Sequence, residues 1–546
     1  MIFERHRFGI PTLLVLLTVV IYAQTLFFGY VNLDDEELIV QRQGFLRKAE
    51  NIPAMFTHDV SFPNRPAPYY RPLLTLTFML DVSKQGGNTA LGHLMNIMLH
   101  VGVVLMLWVL FMEMGIDRMK ALFFSALFAV HPALVQAVAW IPGRNDSLVA
   151  FWVLVSCIFF LKSLRSKSWM TFGAHMLFFA FALLTKEIAI VMPVIFAGLW
   201  LLFSGIPFSW RRFLVYALLW ASSVFLWFSV RSHALSTIPS ESLSELLTQI
   251  WGSLPMIIVY IGKVFFPFQL SVMPSAQDSS LWYGIGAILL FGFILFWYRR
   301  QIDFQRICFG LFWFIILSIP SLISYDDASR IAFFEHRLYL PIIGIFLCLA
   351  LLPWKVRKAW GIVLLVFTVL TVSHARAFRE PISFWGQATH SSPSLARAHN
   401  SLGMAYAAAR RLDEAFIEFQ TAYGMNPEDY LVNVSLGEAY RLRHEPERAE
   451  EYLKRAVAIN FERAQAHHSL GFLYATQGRM QEAEQEWKIA IRFNPIYALS
   501  HEALAVYYAQ IHRYDEAILH IQHLMDIGSP VLPELQKIYT MHHQVL

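Results

Sequence analysis

Over the first two thirds of the chain polar residues fall in short clusters between long apolar runs, and after about residue 375 an amphipathic, charge-rich pattern takes over. A bilayer core about 30 Å thick needs about 20 apolar residues in a helix. Eleven runs approach that length, at 8–28, 91–112, 119–133, 146–161, 170–185, 188–203, 213–230, 281–298, 307–323, 338–352 and 359–374. They predict an all-α, polytopic bundle of about 11 spanning helices over residues 1–375. The run at 250–266 carries Gly252, Pro255, Gly262 and Lys263 and reads as re-entrant or surface-lying. The first run follows Arg5, His6 and Arg7, is about 21 residues long and has no small-residue cleavage site after it, so it is expected to stay as a spanning helix.

Lys and Arg between the runs orient them. With Arg5 and Arg7 in the cytoplasm, alternation puts Arg118 and Lys120, Lys162, Arg165 and Lys167, Arg211 and Arg212, Arg299 and Arg300, and Lys355, Arg357 and Lys358 all inside, as the positive-inside rule requires. An odd number of crossings then sends the C-terminal tail outside. The outer face receives 30–90, 131–145, Thr185-Lys186-Glu187 and 324–337. Titratable residues at a membrane surface are costly to keep without a task, so chemistry is expected on that face.

From Ser394 the apolar pattern recurs every 34 residues, the tetratricopeptide period. Leu402, Leu436, Leu470 and Leu504 share one position, Gly403, Gly437, Gly471 and Ala505 the next, and Ala415, Ala449, Ala483 and Ala517 the small site where paired helices touch. Residues 390–546 are therefore expected to form an α-solenoid of about four repeats whose groove suits a protein or peptide. His467, His468, His542 and His543 read as solvated helix-face residues.

Composition narrows the class. Hydrophobic residues make up 56% and charged residues 15%, against roughly 25% charged in soluble domains. The net charge of +4 lies in clusters beside apolar runs, not on a contiguous face that could track phosphates, so nucleic acid is not expected. Cys157, Cys308 and Cys348 each sit alone in an apolar run, which encodes neither a disulfide framework nor a zinc site.

The candidate chemistry begins with the acids Asp34-Asp35-Glu36-Glu37, directly after the first run and on the same face as Lys186, His336 and Arg337. A carboxylate there could deprotonate an acceptor hydroxyl, and the cations could stabilise charge on a departing lipid phosphate. On side and charge alone, Lys186 and Arg337 are expected to grip that phosphate.

The order of Val31-Asn32-Leu33-Asp34-Asp35, Tyr70-Arg71-Pro72-Leu73, His93-Leu94-Met95-Asn96, His131-Pro132 with Trp140 and Gly143-Arg144-Asn145-Asp146, Thr185-Lys186-Glu187, and Glu335-His336-Arg337-Leu338-Tyr339 resembles the transmembrane and tetratricopeptide-repeat protein O-mannosyltransferases and their prokaryotic relatives. More remotely it resembles the GT-C glycosyltransferase superfamily. The resemblance implies a hexosyltransferase that moves one sugar, mannose or similar, from a polyprenyl-phosphate carrier to a protein hydroxyl on the extracytoplasmic face, with inversion. It implies Asp34 as catalytic base with Asp35 in support, and Tyr70, Arg71, His131, Arg144, Asp146, Lys186, Glu335, His336 and Arg337 as donor-site residues. The expected membrane is a prokaryotic plasma membrane, or the endoplasmic reticulum in a eukaryote. One departure stands out: Gln136 occupies a position where the family usually has Glu. Neutral Gln is a poor ligand for a hard cation, which makes a divalent metal doubtful and leaves Asp34, Asp35 and Asp146 as the candidate ligands. Two alternatives remain open: transfer to a glycan or lipid, and a non-catalytic membrane anchor that presents the repeats as a scaffold.

Overall fold

The structure, a computed structural model, describes residues 2–63, 67–82, 89–166, 168–235, 242–322, 334–527, 529 and 531–545. Lys167, the 324–333 part of the last outer segment, and the side chains of Arg5, His6, Arg7, His542 and His543 lie outside the described residues. All regular elements among the described residues are helical, and contacts divide the chain into two units, Met1–Ser392 and Pro393–Leu546.

Each of the eleven apolar runs coincides with a helix or helix pair of the first unit. Among the described residues six helices are long and apolar enough to cross a bilayer singly: Gly9–Phe27, Thr89–Glu113, Arg144–Ser166, Trp210–Ala234, Phe304–Leu322 and Trp360–Phe378. Arg118–Ala129 continues into Pro132–Ala139 through a 55° bend, because Pro132 has no N–H with which to continue the helix. Leu247–Ser253 and Pro255–Phe265 qualify only as a pair bent by 44°, so the 250–266 run is broken at its proline. Trp169–Leu183, Glu187–Phe203, Trp282–Tyr298 and Ile342–Leu351 are shorter apolar helices, as is Pro72–Val82, which falls outside the eleven runs.

Helix Arg144–Ser166 forms the middle of the unit, with 78% of its apolar stretch buried, packed on Thr89–Glu113 and Trp169–Leu183. Trp210–Ala234 lies at the rim, only 11% buried. In lipid, helices associate by close packing rather than by apolar burial. Accordingly Phe304–Ser318 and Ile342–Leu351 meet at Gly310 and Gly344, where any Cβ would collide with the facing backbone or Cys348.

The second unit is a row of helix hairpins: Ala396–Ala408 with Leu412–Met425, Tyr430–Leu442 with Pro446–Ile459, Ala464–Thr476 with Met480–Phe493, and Ala498–Gln510 with Tyr514–Asp526, followed by Pro533–Val545. Ala415, Ala449, Ala483 and Ala517 are all buried in the hairpin seams. The repeated glycine has a packing cause. A Cβ on Gly471 would stand 2.7 Å from the Trp487 ring, and Gly403 and Gly437 face Phe419 and Leu453 in the same way. Gly471→Val is therefore expected to lower stability by about 1–3 kcal/mol through overpacking, read as an earlier thermal loss of helical circular dichroism. An unchanged melt would show that the hairpin opens without cost.

Candidate active site

The segment after the first apolar helix opens on a turn built around Asp35. Asn32 adopts a left-handed backbone, φ 57°, which Asn tolerates better than most residues. The chain thereby wraps the Asp35 carboxylate. Val31, Asn32 and Leu33 donate their N–H groups to it at 2.7, 3.0 and 3.3 Å, and the Trp140 indole N–H donates at 2.9 Å. Asp35 is 1% exposed, whereas Asp34 beside it is exposed. The two acids thus differ in kind: Asp35 holds the turn, and Asp34 faces solvent from it.

Trp140 carries this turn to a cluster of charges. Its ring lies 5.8 Å from the His336 ring, and His336 Nε2 lies 3.9 Å from Asp146. Lys186 pairs with Asp146 at 2.7 Å and also donates to Asn145 at 3.2 Å. Arg71 forks onto Glu187, 2.6 and 3.3 Å, and stacks on Tyr69 with 4.3 Å from guanidinium to ring centre. Arg337 donates to the Ser321 carbonyl at 2.9 Å and sits over Phe334. Burial, reinforced by the nearby Lys186, Arg337 and Arg71, holds the His336 imidazole well below its ordinary pKa, so it is neutral at pH 7. Three cations thus meet two carboxylates, one positive charge in excess. Burial also pushes the Lys186 ammonium down, against the pull of Asp146, as expected where water is scarce.

Four residues assigned to the donor site by resemblance point elsewhere. The Tyr70 hydroxyl donates to the Phe56 carbonyl at 3.0 Å. His131 Nε2 meets the Val264 carbonyl at 3.1 Å, and its Nδ1 accepts from Ala133 N–H, where it caps the bend before Pro132. Arg144, wholly buried, pairs with Asp81 at 2.7 Å and donates to Asn96 and Gly92. Glu335 accepts from Lys263 and from Ser271 N–H, each at 2.7 Å, with His374 Nε2 at 3.4 Å. Burial opposes ionisation of Glu335, but Lys263 and His374 hold its pKa below the ordinary value. Each of these is a packing contact in the first unit. Position along the chain did not give the direction of the side chain.

The three candidate metal ligands do not share a point. Asp35 is occupied by four N–H donors and Asp146 by Lys186, and no group of three His, Cys, Asp or Glu suited to a metal occurs among the described residues. This donor set does not fit a divalent ion. Gln136 is 1% exposed; its amide N–H reaches Val272 at 3.4 Å, and its Oε1 has no hydrogen-bond partner. Asp81 and the pairing of Lys263 were missed in the sequence, where Lys263 marked only a broken run and Glu187 was given no role of its own. Single acids and bases in apolar runs were the available signal, because a buried charge needs a partner.

Comparison with known proteins gives partial matches. The Tetratricopeptide repeat family model matches residues 384–430 and 434–495. Protein O-mannosyl-transferase Tmtc1 of Drosophila melanogaster is 35% identical over 122 residues, 22% of this chain and 14% of the relative. TMTC4 of Homo sapiens is 32% identical over 160 residues, 26% of this chain and 21% of the relative, and human TMTC3 is 29% identical over 186 residues, 32% and 20%. The matched part therefore spans about a fifth or less of these relatives' length. Among solved structures, a thermophilic tetratricopeptide protein of Thermus thermophilus shares 21% identity over 33% of this chain and 95% of its own, with a TM-score of 0.27. With its apolar helices and 34-residue repeats, the chain is similar, over part of its length, to the protein O-mannosyl-transferases named above.

Proposed function

We propose that this chain is a membrane glycosyltransferase that moves one sugar from a polyprenyl-phosphate carrier to a protein hydroxyl, with inversion, on the extracytoplasmic face. The observation that carries the reading is the cation-rich cluster of Arg71, Lys186 and Arg337, linked through His336 and Trp140 to the turn that presents Asp34. Asp34 takes the acceptor proton, the acceptor oxygen attacks the anomeric carbon, and the bond from that carbon to the phosphate oxygen breaks. Arg337, which has no carboxylate partner among the described residues, supplies the excess charge for the leaving phosphate. Lys186 would exchange part of its bond to Asp146 for the same phosphate. The repeats would hold the protein acceptor.

An apolar cavity of about 700 Å³ supports a prenyl donor. It runs between the helices Met192–Phe203 and Trp210–Ala234 and begins at Ile190, three residues past Glu187 of the cluster. Val194, Ala217, Trp220 and Phe225 line it, so a lipid tail could lie there with its phosphate at the cations. Ala217→Trp is expected to raise the donor KM about tenfold, the loss of roughly two buried methylene contacts, with kcat retained. Donors with a five-carbon tail should show no such change; an equal effect on short and long donors would remove the tail from this cavity. Transfer itself is tested with purified protein, a panel of radiolabelled polyprenyl-phosphate sugars and membrane extract. No labelled protein from any donor would overturn the assignment.

A further inference from the structure

A second cavity of the first unit, about 320 Å³, lies between helix Pro255–Phe265, the loop 266–281, the start of helix Trp282–Tyr298 and the end of helix Pro381–Ser391. Its character differs from both sites above. Its cation, Lys263, is buried and committed to Glu335 at 2.7 Å, so it offers little to a phosphate. Its rim carries Gln269, Ser279, Ser280, Gln387 and His390 beside the exposed ring of Phe268, so it does not suit a lipid tail either. Among the described residues the side chains of Gln269, Gln387 and His390 have no hydrogen-bond partner. Hydroxyl and carboxamide groups both donate and accept, and a few such groups beside an aromatic face are how small polar ligands are held in one orientation.

We propose that this cavity binds an uncharged, polyhydroxylated group the size of one hexose. The wall is tied to the transfer site: Ser271 N–H donates to Glu335 at 2.7 Å, and Glu335 shares the short turn Glu335–Leu338 with His336 and Arg337 of the cation cluster. The Ser271 hydroxyl in turn meets that of Ser391 at 2.7 Å, one residue before the end of the first unit. A sugar held here would be one already attached to the acceptor. That role, but not the binding, rests on the proposed transfer activity.

Saturation-transfer NMR on the full chain in detergent, with methyl α-D-mannopyranoside and methyl α-D-glucopyranoside as probes, tests the site. Transfer to at least one glycoside is expected. The apparent Kd should rise about tenfold in the Gln269→Ala, Gln387→Ala double variant, as two lost hydrogen bonds imply, and the signal should vanish in Ser279→Trp, which fills the cavity. Absence of transfer to both glycosides in the wild type, an unchanged signal in both variants, or displacement by inorganic phosphate would each overturn the proposal. Glycoside binding without sugar transfer from any lipid donor would instead sink the enzymatic reading and leave the site standing.

Discussion

Asp34→Asn is expected to cut sugar transfer by about 10²- to 10⁴-fold, the usual contribution of a general base, with helix content and donor binding unchanged. Asp34 is exposed, and Asn keeps its size and one acceptor oxygen, so the fold is expected to be retained. Asp35→Asn makes the contrast. That carboxylate accepts four N–H groups, and an amide has one oxygen to do so and an NH₂ that would face donors. At least one buried donor would lose its acceptor, at about 1–3 kcal/mol, so Asp35→Asn should lower stability together with activity. Asp34→Asn should lower activity alone. Wild-type rates in Asp34→Asn would remove it as base. If no donor supports transfer in the wild type while the repeats still capture a protein, the scaffold reading is the better one.

Arg144→Met is expected to be the most destabilising single change in the membrane unit, at about 3–5 kcal/mol, because it leaves a buried carboxylate unpaired. Arg144 is wholly buried and is bound to Asp81, Asn96 and Gly92, with its guanidinium over the Phe78 ring. Asp81 itself is 8% exposed. The double variant Asp81→Leu, Arg144→Met removes both charges and should recover much of the loss. Thermal unfolding in detergent reads both. Had Arg144 lined the donor site, as resemblance implied, its removal would raise the donor KM and leave the melting temperature in place; that outcome would return it to the donor site.

Much of the architecture was legible from local pattern. Every apolar run coincides with helical structure, and the 34-residue register places Gly403, Gly437 and Gly471 where the hairpin partners leave no room for a Cβ. The site was legible only in part. Asp34, Lys186, His336 and Arg337 were read as one group, and Asp146 was assigned to the donor site by resemblance; Lys186 and His336 do meet at Asp146. Arg71 was expected to line the donor site, but its direct partner is Glu187, and Trp140 emerges as the link between the acid turn and the cluster.

Hydrophobic period, repeat length and the proline breaks were determined by the sequence itself, because each depends on residues within a turn or two of one another. Which charges neutralise one another was decided only by tertiary structure. Arg71 and Glu187 are separated by 116 residues and Lys263 and Glu335 by 72. Burial forces each buried charge to find a partner, but the choice of partner follows from which helices pack side by side. That choice gave Arg144 to Asp81, Glu335 to Lys263 and His131 to a backbone carbonyl, and it left Arg337 as the cluster's cation without a matching carboxylate among the described residues.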